Sequence, residues 1–365
     1  MVVKYIIEKI LYIYNLVIKY TYKILFHKID SLDDIQNILL FKTGSIGDNV
    51  IVLPFIASIK KQYPDIKITI LTTSGKSPVS MENLIDKDLI EDFIHYGDAT
   101  KIDLLNLLKD NNYDLVIDFT NPFSLVSTLR NMFFFRYIGI KKGIGWHISE
   151  LTYFRKQQDK YNLVQNEMQK YLQYLKSIAI QENFDFVLGI DKQDILKIDK
   201  LLQKNNLENN KIIAIVVGAK RNINRWPIEY FDEIIKWLKN NTEYEPIIIG
   251  GEDDLKLTKY LHSKVVNFAG VLTPLESAEL LKRCKLTISN DTGPMHLSYA
   301  VGTKVLAIFS ARDFRRKWYP PKELGYVFRD EDIKCRLCYQ ESCDDVKCLK
   351  NIKPSMIIDK LKEIL

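Results

Sequence analysis

The sequence predicts an α/β protein built from two Rossmann-like domains with parallel sheets. Short runs of Ile, Leu and Val alternate with longer amphipathic stretches, the pattern of repeated strand–helix–strand units. The alternation lapses in an Asn- and Lys-rich stretch near residues 181–210 and restarts at residue 211. Polar glycine-containing turns follow apolar strands in both halves, at residues 42–48 and 290–293, where parallel sheets place their ligands. We therefore expect an N-terminal domain over residues 35–185, a C-terminal domain over 192–365, and a leading helix within residues 1–30. A length of 365 residues suits two domains. The loops that end the strands are expected to face a shared cleft.

Residues 1–27 are dense in Ile, Leu, Val and Tyr. Lys4, Glu8, Asn15, Lys19 and Lys23 recur at helical spacing, a narrow polar stripe beside a wide apolar face. The uncharged run over residues 10–18 is too short to span a bilayer, and the segment lacks a signal-peptide cleavage site. This predicts an in-plane amphipathic helix at a membrane surface, with Tyr and Lys at the headgroups. The alternative is a helix packed on the protein's own core or on a second subunit.

The first domain strand is expected at residues 37–41, followed by Lys42, Thr43, Gly44, Ser45, Ile46, Gly47 and Asp48. Gly44 and Gly47 permit a tight turn, and Asp48 lies near the start of a helix running to about residue 63, with Pro54 a potential kink. A G-x-x-G turn is not a dinucleotide fingerprint. Strands follow at 66–71 and 113–119, the latter ending in Asp118, Phe119, Thr120 and Asn121. Helices are expected from Phe123 to residue 135 and over 162–178, with a basic loop at 141–147 between them. His95 and His147 have no evident partner and read as surface or loop residues.

The second half restarts with a strand at 211–217, a basic loop at 218–227 and a helix at 228–240. A strand at 246–249 ends in Gly250, Gly251, Glu252, Asp253 and Asp254. A strand at 265–268, a helix at 274–283 and strands at 286–289 and 305–309 complete the alternation, and residues 354–365 form a last helix. Between the final two strands, Asn290, Asp291, Thr292, Gly293 and Pro294 open a helix that carries His296. Pro suits a first helical turn, Gly293 lets a ligand approach the backbone, and the free N–H groups of a helix start attract an anion. The plainer reading is that Asp291 or Thr292 only caps the helix.

Together the C-terminal half offers Gly218, Arg221, Arg225, Glu252, Asp291, Thr292, Gly293 and His296. Arginines and helix amides suit a diphosphate, and a carboxylate such as Glu252 suits ribose hydroxyls. The N-terminal half offers Asp48 as a base, with Lys42, Gly44 and Gly47 around it. Transfer of a sugar from a nucleotide needs a base on the acceptor hydroxyl and positive charge at the departing diphosphate. This set supplies both without a divalent metal, and a single displacement inverts the anomeric centre.

Several ordered segments resemble glycosyltransferase family 9, the ADP-heptose:lipopolysaccharide heptosyltransferases. They are NILLFKTGSIGDNVIVLPFIASIKKQYPDIKITILT, VVGAKRNINRWPIEYF, IIIGGEDD, and the run from NFAGVLTPLESAELLKRCKLTISNDTGPMHLSYAVGTKVLAIF, so the likeness extends from about residue 37 onward. The resemblance implies a GT-B fold and hexosyl or heptosyl transfer with inversion and without metal. It implies Asp48 as base, Asp291, Thr292, Gly293 and His296 at the donor phosphates, and Glu252 at the adenosine ribose. The expected donor is an ADP-sugar, and the acceptor a lipopolysaccharide-type or other lipid-linked surface glycan on the cytoplasmic face of the inner membrane. The family often carries a phosphate-binding Lys two residues before Trp-Pro; here that position is Asn224, beside Arg225.

Cys335, Cys338, Cys343 and Cys348 lie within fourteen residues, a spacing that admits a structural zinc; reduced thiols bracing a loop are the alternative. Five cysteines in all suit a reducing compartment. Net charge of +6 with no basic block interleaved with aromatics argues against nucleic acid and suits an anionic surface or acceptor. A non-catalytic nucleotide-sugar-binding module and a nucleotide-sugar epimerase are the competing functions.

Overall fold

The computed structural model describes residues 2–73, 80–97, 100–120, 124–207 and 211–365. Asn121 and Phe123, expected at a strand end and a helix start, lie outside the described residues. The chain separates into two compact units, Met1–Gly189 and Ile190–Leu365.

The first unit runs α1 (Val2–Leu25), β1 (Asn37–Phe41), α2 (Ile46–Val50), α3 (Leu53–Gln62), β2 (Lys67–Thr72), β3 (Asp92–His95), α4 (Lys101–Asp110), β4 (Leu115–Asp118), α5 (Leu125–Tyr137), β5 (Lys142–Ile144), α6 (Arg155–Lys160) and α7 (Glu167–Ser177). Its strands form a parallel sheet in the order β3-β2-β1-β4-β5. The single helix expected to run to about residue 63, with a kink at Pro54, is two helices. Pro54 sits in the first turn of α3, where its missing N–H costs nothing. The helix expected from residue 162 starts at Glu167, because Asn166 caps it by accepting from the N–H groups of Met168 and Gln169. Part of the expected basic loop at 141–147 pairs with β4 as the short edge strand β5.

Helix α1 forms as the periodicity predicts, and one face of it is committed to its own unit. Ile7 and Ile18 are buried. The Asn15 amide donates to the carbonyl of Ile148 at 2.8 Å and accepts from its N–H at 3.0 Å. Tyr22 and Phe26 stack together, and Phe26 packs on Trp146 with ring centroids 4.6 Å apart. The other face leaves Ile6, Ile13, Val17, Tyr20 and Ile24 exposed. Among the described residues no helix is long and apolar enough to cross a membrane.

The second unit runs α8 (Lys192–Lys204), β6 (Lys211–Val216), α9 (Ile228–Asn241), β7 (Tyr244–Ile248), α10 (Leu255–Thr258), β8 (Val266–Asn267), α11 (Pro274–Lys282), β9 (Leu286–Asn290), α12 (Gly293–Ala300), β10 (Lys304–Phe309), β11 (Gly325–Arg329), α13 (Lys347–Lys350) and α14 (Pro354–Ile364). The sheet order is β11-β10-β9-β6-β7-β8, all parallel. Counted within the unit this is the doubly wound order 3-2-1-4-5-6 read from the other edge. Ile213, Ile215, Ile288, Leu306 and Ile308 fill the core under α9 and α14, together with Trp226, Phe231 and Leu361. In each sheet the chain reverses its winding between two central strands, β1 and β4 in the first and β6 and β9 in the second. A ligand crevice opens at such a point, beyond the carboxyl ends of the strands.

Candidate functional site

The first crevice begins where β1 ends. Lys42 is buried, and its ammonium donates to the Phe119 carbonyl at 3.2 Å and the Tyr171 hydroxyl at 3.1 Å. It thereby ties the end of β1 to the segment after β4, and burial lowers its pKa. This side chain braces the crevice. Asp118, at the end of β4, accepts from Thr120, Asn131 and Trp146 and fixes the other wall.

Asp48 is the third residue of α2, and Ser45, not Asp48, is the N-cap. One carboxylate oxygen of Asp48, Oδ2, accepts from the Ser45 N–H at 2.9 Å and the Ser45 hydroxyl at 2.8 Å. Its other oxygen has no hydrogen-bond partner among the described residues. Gly44 is dictated by this packing: its φ is +133°, and a Cβ there would lie 2.5 Å from the Asp48 side chain. Gly47 is buried within α2 and accepts from the Ile51 N–H. The arrangement holds a half-buried carboxylate rigidly with one oxygen free, which suits proton abstraction.

In the second unit Asn290 organises the crevice. It is fully buried at the end of β9, accepts from the Trp226 N–H at 2.9 Å, and donates to the carbonyls of Val217 and Gly218 at 2.9 and 3.2 Å. One amide thus locks β9, the turn after β6 and the entry to α9. The sequence placed Asn290 in the turn that opens the helix but gave it no bracing role, because its partners Trp226, Val217 and Gly218 lie more than sixty positions away. Trp226 is structural, as its burial and its bond to the Ile352 carbonyl show.

Asp291, Thr292 and Gly293 follow at the mouth of α12, all partly exposed. Thr292 is the N-cap residue, yet its side chain makes no capping bond, so the plain capping reading does not hold for it. His296 is buried one turn in, with Nδ1 2.7 Å from the Tyr299 hydroxyl. Burial, then the nearby Asp291 charge, pushes the Tyr299 hydroxyl pKa far up, which keeps it a neutral partner for His296.

The turn after β7 carries Glu252, exposed at the start of a single 3-10 turn, Glu252–Asp254. Asp254 closes that turn by accepting from the Gly251 N–H at 2.9 Å. Burial raises its carboxyl pKa against the opposing pull of that N–H and of Arg225. Its Oδ1 lies where a Cβ at Gly218 would fall, 1.8 Å away. Arg225 donates to the Ala219 carbonyl at 2.8 Å beside this carboxylate. Asn224 is buried and accepts from the Ser310 hydroxyl at 2.7 Å. It therefore links two loops, and the basic charge near this point comes from Arg225 and Arg221. Arg221 is paired with Glu341, which also binds Arg312. Neither Glu341 nor Arg312 emerged from the sequence reading; the run from Arg312 to Lys317 directly after a strand was the missed signal.

The zinc expectation is corrected. Among the described residues no group of three or more His, Cys, Asp or Glu side chains is placed to hold a metal ion. Cys335 and Cys338 are exposed, Cys343 Sγ accepts from the Val346 N–H, and Cys348 packs into the core. Backbone bonds such as Leu337 N–H to the Ala311 carbonyl pin this loop to the end of β10. His95 is not a bare loop residue either: it lies on β3, with Nε2 3.1 Å from Glu82 and Nδ1 3.0 Å from the Thr73 carbonyl.

Two doubly wound parallel sheets, each with polar side chains gathered at its reversal point, define a protein of the GT-B class. Residues 102–348 match glycosyltransferase family 9 (heptosyltransferase), and the chain belongs to that family and is a glycosyltransferase. It is 25% identical over 343 residues to lipooligosaccharide heptosyltransferase 2 of Campylobacter jejuni, an alignment covering 88% of this chain and 95% of that one. In structure it resembles a family 9 glycosyl transferase from Veillonella parvula at TM-score 0.67 and 18% identity, covering 90% of this chain and 97% of that one. It also resembles the ADP-heptose lps heptosyltransferase II of Escherichia coli at TM-score 0.61 and 17% identity, covering 90% and 98%.

Proposed function

We propose that the chain transfers heptose from ADP-heptose to a lipopolysaccharide-type acceptor, with inversion, with Asp48 as the base and without a metal ion. The Asp48 carboxylate carries this reading: Ser45 fixes one oxygen while the other is open to an incoming hydroxyl. The acceptor hydroxyl gives its proton to that oxygen as its own oxygen bonds to the anomeric carbon. The bond from that carbon to the diphosphate breaks, and ADP departs with the electron pair. In this reading Arg225, Arg221 and the N–H groups opening α12 receive the negative charge on the diphosphate. Glu252 holds the ribose, Gly218 and Gly293 let the phosphates approach the backbone, and Asp291, Thr292 and His296 shape the phosphate end. The names of the relatives, which act on lipooligosaccharide and use ADP-heptose, support the choice of acceptor and donor.

Attachment to the cytoplasmic face of the inner membrane belongs to the same reading. The exposed Ile6, Ile13, Val17, Tyr20 and Ile24 of α1, with Lys19 and Lys23 nearby, suit an anionic lipid surface.

The test is Asp48→Asn assayed by ADP release with ADP-heptose and a heptose-deficient lipopolysaccharide acceptor. The expected loss in kcat is on the order of 10²–10⁴-fold with ADP affinity unchanged. Full turnover in the variant removes Asp48 as base. Activity lost to a chelator removes the metal-free mechanism, and ADP binding with no turnover on any nucleotide sugar leaves only a binding module.

A further inference from the structure

Arg221 follows β6 and Arg312 follows β10, and β9 lies between those strands in the sheet. Glu341 reaches both arginines. Its Oε2 accepts from Arg221 Nε at 2.5 Å, and its Oε1 from an Arg312 terminal nitrogen at 2.9 Å. A single carboxylate therefore spans from one flank of β9 to the other, on the side where Asp291, Thr292 and Gly293 open α12. The segment bearing Glu341 is tied down by the same arginine, since Arg312 also donates to the Gln340 carbonyl at 2.6 Å. Asn222, beside Arg221, accepts from the Cys343 N–H at 3.2 Å. Glu341 is itself largely exposed, with 71% of its side chain open to solvent, whereas the Arg312 side chain is only 12% exposed. The arginine is thus built into the unit, and the carboxylate is the removable partner. Hydrogen bonding to Arg221, then the charges of both arginines, holds the Glu341 carboxyl below its usual range, so it is an anion at neutral pH.

We propose that Arg221 and Arg312 form a clamp for the diphosphate of the nucleotide donor, and that Glu341 is its internal counter-anion, displaced when the donor binds. This rests on the donor site proposed above and adds Arg312 to it. A carboxylate presents one negative charge and two oxygens. A diphosphate presents more of both, and guanidinium groups grip phosphate oxygens in pairs. Glu341 keeps the two arginines oriented between turnovers and lowers donor affinity, because each binding event must break its two bonds. Donor binding then frees the segment around Glu341 from Arg312.

The experiment is calorimetric titration of the full chain with ADP and with inorganic pyrophosphate at fixed ionic strength. It compares the wild type with Glu341→Gln, Arg312→Ala and the double variant. Losing one exposed, two-armed ion pair is expected to tighten both anions roughly fivefold in Glu341→Gln. Arg312→Ala is expected to weaken them, and the double variant to lose the gain. ADP binding to the wild type with no gain in Glu341→Gln overturns the counter-anion and leaves the donor site standing. A gain that survives in the double variant reflects net charge alone and overturns the clamp. No binding of either anion to any variant overturns the clamp and the donor site together.

Discussion

Gly218→Ala tests how the second crevice is held together. A Cβ at this position would stand 1.8 Å from Asp254 Oδ1 and 2.0 Å from its Cγ. Non-bonded heavy atoms settle near 3.5 Å, so the carboxylate must retreat by about 1.5 Å. That retreat breaks its 2.9 Å bond to the Gly251 N–H and draws it from Arg225. Overpacking plus a lost charge-assisted bond costs about 2–3 kcal/mol. Asp254→Ala loses the same bond but removes the obstacle, so adding Gly218→Ala to that background is expected to cost less than about 0.5 kcal/mol. The coupling between the two sites is then about 2 kcal/mol, large for a pair with no direct bond. Hydrogen exchange of the β6 and β9 amides reads this locally, without assuming that a two-unit chain unfolds in one step. Equal destabilisation by Gly218→Ala with and without the Asp254 carboxylate refutes the account.

Asn290→Asp keeps the acceptor for Trp226 but sets a carboxylate against the Val217 and Gly218 carbonyls. A loss of about 3 kcal/mol is expected, seen as a fall of roughly 8 °C in the second unit's melting transition, and an unchanged transition contradicts the lock. Alkylation by iodoacetamide should label Cys335 and Cys338 within minutes and spare Cys284, which is buried and whose pKa burial pushes up to about 12. Mass spectrometry that finds Cys284 labelled in the native protein counts against that burial. Asp313 is buried, which raises its pKa, but Lys317 and the donors of Phe314, Tyr339 and Trp318 outweigh this and hold it below the usual carboxylate range. Its contribution is therefore present above about pH 4 and lost as pH falls below that value. Asp313→Asn should flatten the acid limb of the second unit's stability curve, and an unaltered limb means the charge is not stabilising.

Much of the architecture was legible because it depends on near neighbours in sequence. Parallel strands buried on both faces read as Ile- and Leu-rich runs, so β1, β6, β9 and β10 stood out. The edge strands β3, β5 and β11 did not, since runs of three to five residues carry little periodicity. The Gly44–Asp48 and Asp291–Gly293 turns were legible for the same local reason. What sequence reasoning missed is long-range: Glu341 meets Arg221 across 120 positions, and Ser310 meets Asn224 across 86. No spacing rule connects such residues. Asn224 is an example: its chain position places it beside the expected donor phosphates, and the buried bond it makes to Ser310 is one that no local pattern announces. Helix α1 gave a correct period but not its partner, since apolar residues look alike whether they meet protein or solvent.

The docking of α1 also has a consequence for how the chain is made. Asn15 bonds to Ile148, a residue 133 positions later. At ribosomal elongation rates that gap lasts on the order of ten seconds, during which the helix has left the exit tunnel while its seat does not yet exist. For that interval Ile7 and Ile18, sealed in the finished protein, are uncovered along with the face that stays open. Nascent chains of this protein thus present both apolar faces of this helix, beside its polar stripe, to any waiting chaperone or bilayer, and only completion of the first unit withdraws one of them.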